Sequence, residues 1–296
     1  MKALKKAKSR LNRVSIFDIF VIILLTIFAI IIVFPFYTAI LSSFVSSTTY
    51  TANPLLLYPK NPILDNYRYL INRGEILTGY KNTLIITVLG TVYAMFISTT
   101  MAYAFSQKNY PGKKFFFVYM LIPMFFSGGL VPIYLNIKSL KLINSLASII
   151  LMYGVTPFNI IVLKNGFEAI PDSLSEAAQI DGATDIRIFW QIILPLSAPT
   201  LATIMLFTIV SYWNEWYWSM LLINKASRFP LQVVLRSIVN EAASDFDTTA
   251  SIGEESVFSF GIKMAAVMLT MLPIMLVYPF LQKYFAKGVM VGAVKM

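Results

Sequence analysis

Apolar residues in this chain gather into six long, uncharged stretches, within residues 19–42, 82–105, 115–135, 142–163, 196–213 and 264–282. Each is close to the roughly 20 residues a helix needs to cross a bilayer. Backbone N–H and C=O groups find no water in hydrocarbon, so the pattern predicts transmembrane helices rather than open strands. Arg187 and Glu215 bound the fifth stretch, and Lys263 and Lys283 bound the sixth. Several are interrupted: Pro123, Gly128, Gly129 and Pro132 in the third, Gly154 and Pro157 in the fourth, Pro273 and Pro279 in the sixth. A proline in a spanning helix frees a carbonyl and bends the chain, which predicts helices broken around a central path.

Between the fourth and fifth stretches the pattern changes to an amphipathic polar segment, 173–195. Ser173 and Glu176 match the S-x-x-E capping box, which predicts a helix starting at Ser173. Gly182 suits the left-handed residue that closes a short helix. Thr184 or Asp185 can cap a second helix, and Pro195 restricts its end. The segment is either an ordinary surface hairpin or a place where another protein docks.

Two longer polar loops remain, 43–81 and 224–262. The first holds Pro54, Pro59 and Pro62 and is expected to pack as a cap. The second holds the acidic run from Glu241 to Glu255. No internal repeat of the kind found in many secondary carriers is visible. The organisation expected is a basic tail over 1–15, one membrane domain over 16–285 with the polar loop at 168–195, and a tail over 286–296.

Composition sharpens this picture. The 296 residues are 57% hydrophobic and 13% charged, with mean hydropathy +0.71; a soluble domain is about a quarter charged. The net charge of +10 sits at span ends, where anionic headgroups attract it, so nucleic acid is not an expected partner. Lys2, Lys5, Lys6, Lys8, Arg10 and Arg13 precede the first span. A signal peptide also begins with basic residues, but this apolar run is too long and no small-residue cleavage site closes it. Basic flanks lie on the cytoplasmic side, so both termini and segment 173–195 are expected inside the cell membrane.

There is no cysteine and no histidine. Thiol nucleophiles, disulfides, histidine acid–base chemistry and histidine or cysteine metal sites are excluded, so no catalytic or metal residue is assigned. No G-x-x-x-x-G-K-[ST] phosphate loop is present, and the chain cannot hydrolyse ATP by that route. An ion-coupled carrier needs ionisable groups inside the membrane, and few exist here. The polar residues left near spans are Asn159 and the run Trp213-Asn214-Glu215-Trp216. The run is read either as an interfacial aromatic belt or as a wall facing sugar, whose hydroxyls suit flat rings and amides.

The run Glu176-Ala177-Ala178, then Gly182 after Asp181, then Ile192 and Leu194-Pro195, resembles the docking loop of ATP-driven importer permeases. That pattern is E-A-A, three residues, G, nine residues, I, one residue, L-P. Further likeness to the permeases of carbohydrate importers, the group of the second maltose permease, begins near Lys81-Asn82-Thr83. It includes Met101-Ala102-Tyr103-Ala104-Phe105, Tyr110-Pro111-Gly112-Lys113-Lys114, Trp213-Asn214-Glu215 and a terminal Gly292-Ala293-Val294-Lys295. Phe126-Ser127-Gly128-Gly129-Leu130-Val131-Pro132 resembles the Gram-positive oligosaccharide branch. Met296 stands where that family has glycine.

The resemblance implies an all-α membrane protein of six spans, with a cytoplasmic coupling helix–turn–helix between spans four and five. It implies a non-enzymatic sugar permease that pairs with a second permease chain, two ATPase subunits and an extracellular solute-binding protein. ATP and Mg would be held by the ATPase partners and no cofactor by this chain. Glu176, Ala177, Ala178, Asp181, Gly182, Ile192, Leu194 and Pro195 would dock the ATPase, and Asn159, Trp213, Asn214, Glu215 and Trp216 would line the path. A permease for an amino acid or peptide shares the docking loop and remains the alternative; a stand-alone carrier does not share it.

Overall fold

The computed structural model describes residues 16–53, 57–58, 61–108, 110–244 and 260–276. The expected tails, most of the acidic loop, Pro279 and the end of the sixth apolar stretch lie outside them. The described residues are helical, without strands, as the uncharged runs require.

The chain divides into two units. The first is Met1–Tyr69 with Ala242–Met268. Its main element is α1, Ile16–Ser43, apolar around its whole circumference. Only Leu41, Ser42 and Ser43 at its end are buried. A helix of this kind needs lipid or another membrane chain around it. A short helix α2, Ser47–Ala52, follows, capped by Ser46 Oγ accepting from the Thr49 N–H at 3.4 Å. The chain then returns through α3, Asp65–Asn72. Buried Asn66 donates to the Ser43 and Val45 carbonyls at 3.0 and 3.2 Å, which satisfies the polar backbone where α1 ends.

The second unit is Leu70–Glu241 with Leu269–Met296. Its axis is α4, Glu75–Ser106, about 48 Å long at 1.5 Å per residue. Around it come α5 Lys113–Phe125, α6 Leu130–Ser139, α7 Leu146–Met152, α8 Pro157–Glu168, α9 Asp172–Ile180, α10 Asp185–Leu196, α11 Ala198–Trp213, α12 Tyr217–Leu222 and α13 Leu231–Ser244. The helix α14, Phe260–Leu276, ends the described chain and reaches this unit from Leu269 onward. α4 packs chiefly on α8, α11 and α7.

α1 and α4 are each long and apolar enough to cross a bilayer. The third and fourth stretches are indeed broken. α5 and α6 meet at 117° and α7 and α8 at 49°. The third does not break at its prolines: Pro123 lies inside α5 and Pro132 in the first turn of α6. It breaks at 126–129, where Gly129 has φ 84° and its N–H donates to Ser127 Oγ. In the fourth, Pro157 opens α8 at a position where its missing N–H costs nothing.

Close approach fixes the centre of the unit. A Cβ on Gly90 of α4 would stand 2.5 Å from the Tyr212 ring. Tyr212 is 1% exposed and donates to the Ile150 carbonyl at 2.7 Å, so it has nowhere to go. Alanine normally favours a helix over glycine by about 1 kcal/mol, but overpacking costs about 1–3 kcal/mol. Gly90→Ala is therefore expected to lower the thermal midpoint of the detergent-solubilised chain. A raised midpoint would show that α4 and α11 are further apart.

Candidate functional site

The polar segment folds as α9, a tight turn and α10. α9 begins at Asp172 with Pro171 as its cap residue, and no side chain caps it. The capping box at Ser173 and Glu176 therefore does not form: Ser173 is already inside the first turn, and Pro171 sets the entry. The C-terminal reading holds in detail. Gly182 has φ 80°, its N–H donates to the Gln179 carbonyl at 3.0 Å, and the Ala183 N–H donates to the Ala178 carbonyl at 2.9 Å. These paired bonds close the last turn of α9. Thr184 rather than Asp185 caps α10, its Oγ1 accepting from the Arg187 N–H at 3.4 Å.

α10 contains a π turn, Phe189–Ile193. Pro195 has no N–H for the Gln191 carbonyl, and its ring would crowd that group in a regular helix. The wider turn lies where that conflict falls. An 82° bend at Ser197 then leads into α11.

No residue of α9 is buried. Glu176, Ala177, Asp181 and Gly182 are exposed and lie together on the hairpin. Ala178, Ile192 and Leu194 face the other way and pack on the core formed by Ala102, Phe105, Leu163, Phe167, Ile188 and Phe189. Pro195 is exposed beyond them. The matched positions thus divide into an outer set and an anchoring set. Three large apolar side chains that the sequence reading did not single out are also exposed on the hairpin. Ile180 is 87% exposed, Ile186 73% and Trp190 55%. Their signal was large apolar residues placed in an otherwise polar segment.

The hairpin is tied to the rest of the unit. The Tyr103 hydroxyl donates to the Asp185 carbonyl at 3.3 Å, and its ring lies 4.9 Å from Phe189. Lys108 just past α4 pairs with Asp172 in the first turn of α9. The Asp172 carboxylate, by that hydrogen bond first and by charge second, holds the Lys108 ammonium above the ordinary lysine range. Lys164 pairs with Glu168 at 2.6 Å at the end of α8. Residues 64 positions apart leave no local pattern, so Lys108 with Asp172 was not visible beforehand.

The path candidates are divided differently. Asn159 is buried, and its Nδ2 donates to Thr208 Oγ1 at 3.4 Å between α8 and α11. Trp213 is buried and lines an apolar cleft of about 400 Å³ between α4, α11 and α14. Glu215 is 5% exposed. Its Oε1 accepts from the Trp218 and Ser219 N–H groups at 2.7 and 3.1 Å, and Oε2 accepts from the Tyr153 hydroxyl. It caps the first turn of α12 and ties that turn to the break between α7 and α8. All three side chains are buried within this unit. Asn214 is exposed, and half-buried Trp216 carries the Arg236 guanidinium 3.9 Å over its ring. Among the described residues no acidic cluster could hold a metal ion.

The family described as "Binding-protein-dependent transport system inner membrane component" matches residues 94–291. The polygalacturonan/rhamnogalacturonan transport system permease protein YtcP of Bacillus subtilis is 39% identical over 95% of this chain and 98% of its own. The arabinooligosaccharides transport system permease protein AraQ of Halalkalibacterium halodurans is 30% identical over 90% of this chain and 92% of its own. A chain in the crystal structure of a bacterial ABC transporter involved in import of the acidic polysaccharide alginate superposes with TM-score 0.83 and 32% identity. That superposition covers 91% of this chain and 96% of the other.

Proposed function

The chain belongs to the family of binding-protein-dependent transport system inner membrane components, and from that premise we propose that it is the permease subunit of an ATP-driven sugar or oligosaccharide importer. It is a transport component of the membrane and not an enzyme. All three similar proteins serve transport of carbohydrates, which is the support for sugar as cargo.

The observation that carries the mechanism is the exposed hairpin of α9 and α10. Ile180, Ile186 and Trp190 present apolar surface on a polar element, as a docking patch does. Its occupant is an ATPase subunit, one of two in the complex, and these hold ATP and Mg. The chain crosses the membrane six times with both termini and the hairpin inside. The apolar circumference of α1 meets lipid and the second permease chain, and an extracellular solute-binding protein delivers sugar to the outer face.

Nucleotide changes the permease only by binding its two states with different affinity. Closure of the ATPase pair moves α9. Its Lys108 tie carries the displacement to α4, and α10, itself tied to α4 through Tyr103, carries it across the 82° bend to α11. Asn159, Trp213, Asn214, Glu215 and Trp216 are the candidates for the path, with Asn214 and Trp216 at the outer end of that lever.

Two measurements test this. Uptake by vesicles holding the purified assembly should require ATP; uptake driven by an ion gradient alone would overturn the importer. Ile180→Asp should cut recovery of the ATPase subunit with the chain by about ten-fold, equivalent to about 1.4 kcal/mol. Unchanged recovery would move the docking surface elsewhere.

A further inference from the structure

Polar atoms without partners gather around one cleft of the second unit. It is the apolar cleft of about 400 Å³ beside Trp213, which Thr87 and Thr91 of α4 line as well. Among the described residues five buried side-chain polar atoms have no hydrogen-bond partner. Three of them, Thr87 Oγ1, Thr91 Oγ1 and Trp213 Nε1, belong to residues of this cleft. Thr87 and Thr91 lie about 18 and 24 Å along α4, in the middle of a helix that crosses the bilayer. A helical threonine can return its hydroxyl to the carbonyl four residues back. Thr99, Thr203 and Thr208 do so, to Met95, Pro199 and Ile204 at 2.7, 3.0 and 2.8 Å. Thr87 and Thr91 make no such bond, so both hydroxyls remain open to a partner from outside the chain.

The end of α14 closes one side of the cleft with Pro273 and Ile274. Pro273 has no N–H for the Leu269 carbonyl one turn earlier. The Tyr80 hydroxyl of α4 donates to that carbonyl instead. The Tyr80 ring also lies 6.4 Å from that of Trp213. A hydrogen bond from α4 thus fastens α14 at its proline, beside the cleft.

We propose that this cleft is a sugar site on the translocation path, closed in this conformation by α14 and its Tyr80 latch. The proposal rests on the sugar-importer reading and gives the cargo a place in this chain. Buried polar groups without partners are costly, most of all at membrane depth. An acyl chain fills such a volume but offers nothing to two hydroxyls and an indole N–H. A carbohydrate hydroxyl both donates and accepts, and the C–H face of a sugar ring lies against an indole. Small-molecule sites have this make-up, mostly apolar walls with a few polar groups that fix orientation. The orphaned atoms raise the free energy of the closed state, and a sugar that satisfies them shifts the balance toward the open one.

The chain has no cysteine, so Thr91→Cys gives it one thiol. The complete importer with this variant is placed in lipid nanodiscs and treated with a charged, water-soluble methanethiosulfonate, and modification of this chain is read by intact mass. The rate should differ about ten-fold between the nucleotide-free assembly and one trapped with ATP and vanadate. A mixture of neutral and acidic oligosaccharides, added with the binding protein, should suppress the faster reaction. Adding Tyr80→Phe should raise the slower rate; no change overturns the latch. Thr87→Val with Thr91→Val keeps the shape and removes both hydroxyls. It should raise the thermal midpoint yet lower ATP-driven uptake of the mixture into vesicles by about ten-fold. A thiol that never reacts assigns the cleft to lipid or packing and overturns the proposal. Reaction indifferent to oligosaccharide overturns it too, as does unchanged uptake by the valine pair. Absence of ATP-driven uptake by the unsubstituted assembly would instead count against the importer reading, and the site would fall with it.

Discussion

Gly182→Glu is expected to leave the chain folded and inserted while lowering sugar uptake by about ten-fold or more. Gly182 holds φ 80°; an L residue there costs about 1–2 kcal/mol. Nothing lies within 4 Å of where its Cβ would stand. The folded chain alone therefore tolerates a side chain, and a large loss must come from whatever covers the hairpin. Gly182→Ala pays the same backbone cost with little bulk and serves as the control. Uptake in vesicles and ATP hydrolysis are measured for both. The expected result is a mild defect for alanine and, for glutamate, hydrolysis no longer matched by uptake. Equal defects would locate the effect in the backbone, and normal uptake by the glutamate variant would remove α9 from the coupling path.

Glu215→Ala is expected to cost about 3 kcal/mol of stability. The substitution strands three donors in a buried place: the Trp218 and Ser219 N–H groups and the Tyr153 hydroxyl. Each buried group left without a partner costs about 1–3 kcal/mol, and relaxation recovers part of it. Tyr153→Phe removes one donor and leaves the carboxylate its two backbone bonds, so it should cost about 1 kcal/mol. The ordering is read from thermal midpoints in detergent. A stable Glu215→Ala protein that fails only in uptake would assign Glu215 to the translocation path rather than to bracing α12.

The second prediction marks where sequence and structure part. Trp213-Asn214-Glu215-Trp216 reads equally well as an aromatic belt or as a sugar wall, because the alternation of large and polar residues does not say which face is inward. Folding brings Tyr153, 62 residues away, to the carboxylate. That contact makes Glu215 a brace for α12, and Asn159 is drawn in the same way toward Thr208. Lys108 with Asp172 and Tyr80 with Leu269 are likewise long-range, and no spacing along the chain announces them.

By itself the sequence determined what depends on neighbours along the chain. Uncharged runs of bilayer length had to become helices, since hydrocarbon offers the backbone no other partners. Gly182 had to close α9, since its positive φ excludes nothing for glycine and costs any other residue. The spacing from Glu176 to Pro195 fell within a single hairpin and was legible for the same reason. Tertiary structure alone decided which residues of the polar hairpin face out and which pack inward, and which polar groups near the spans are occupied. These depend on side chains brought together from distant positions in a close-packed interior, where one ring such as Tyr212 against Gly90 sets the separation of two helices.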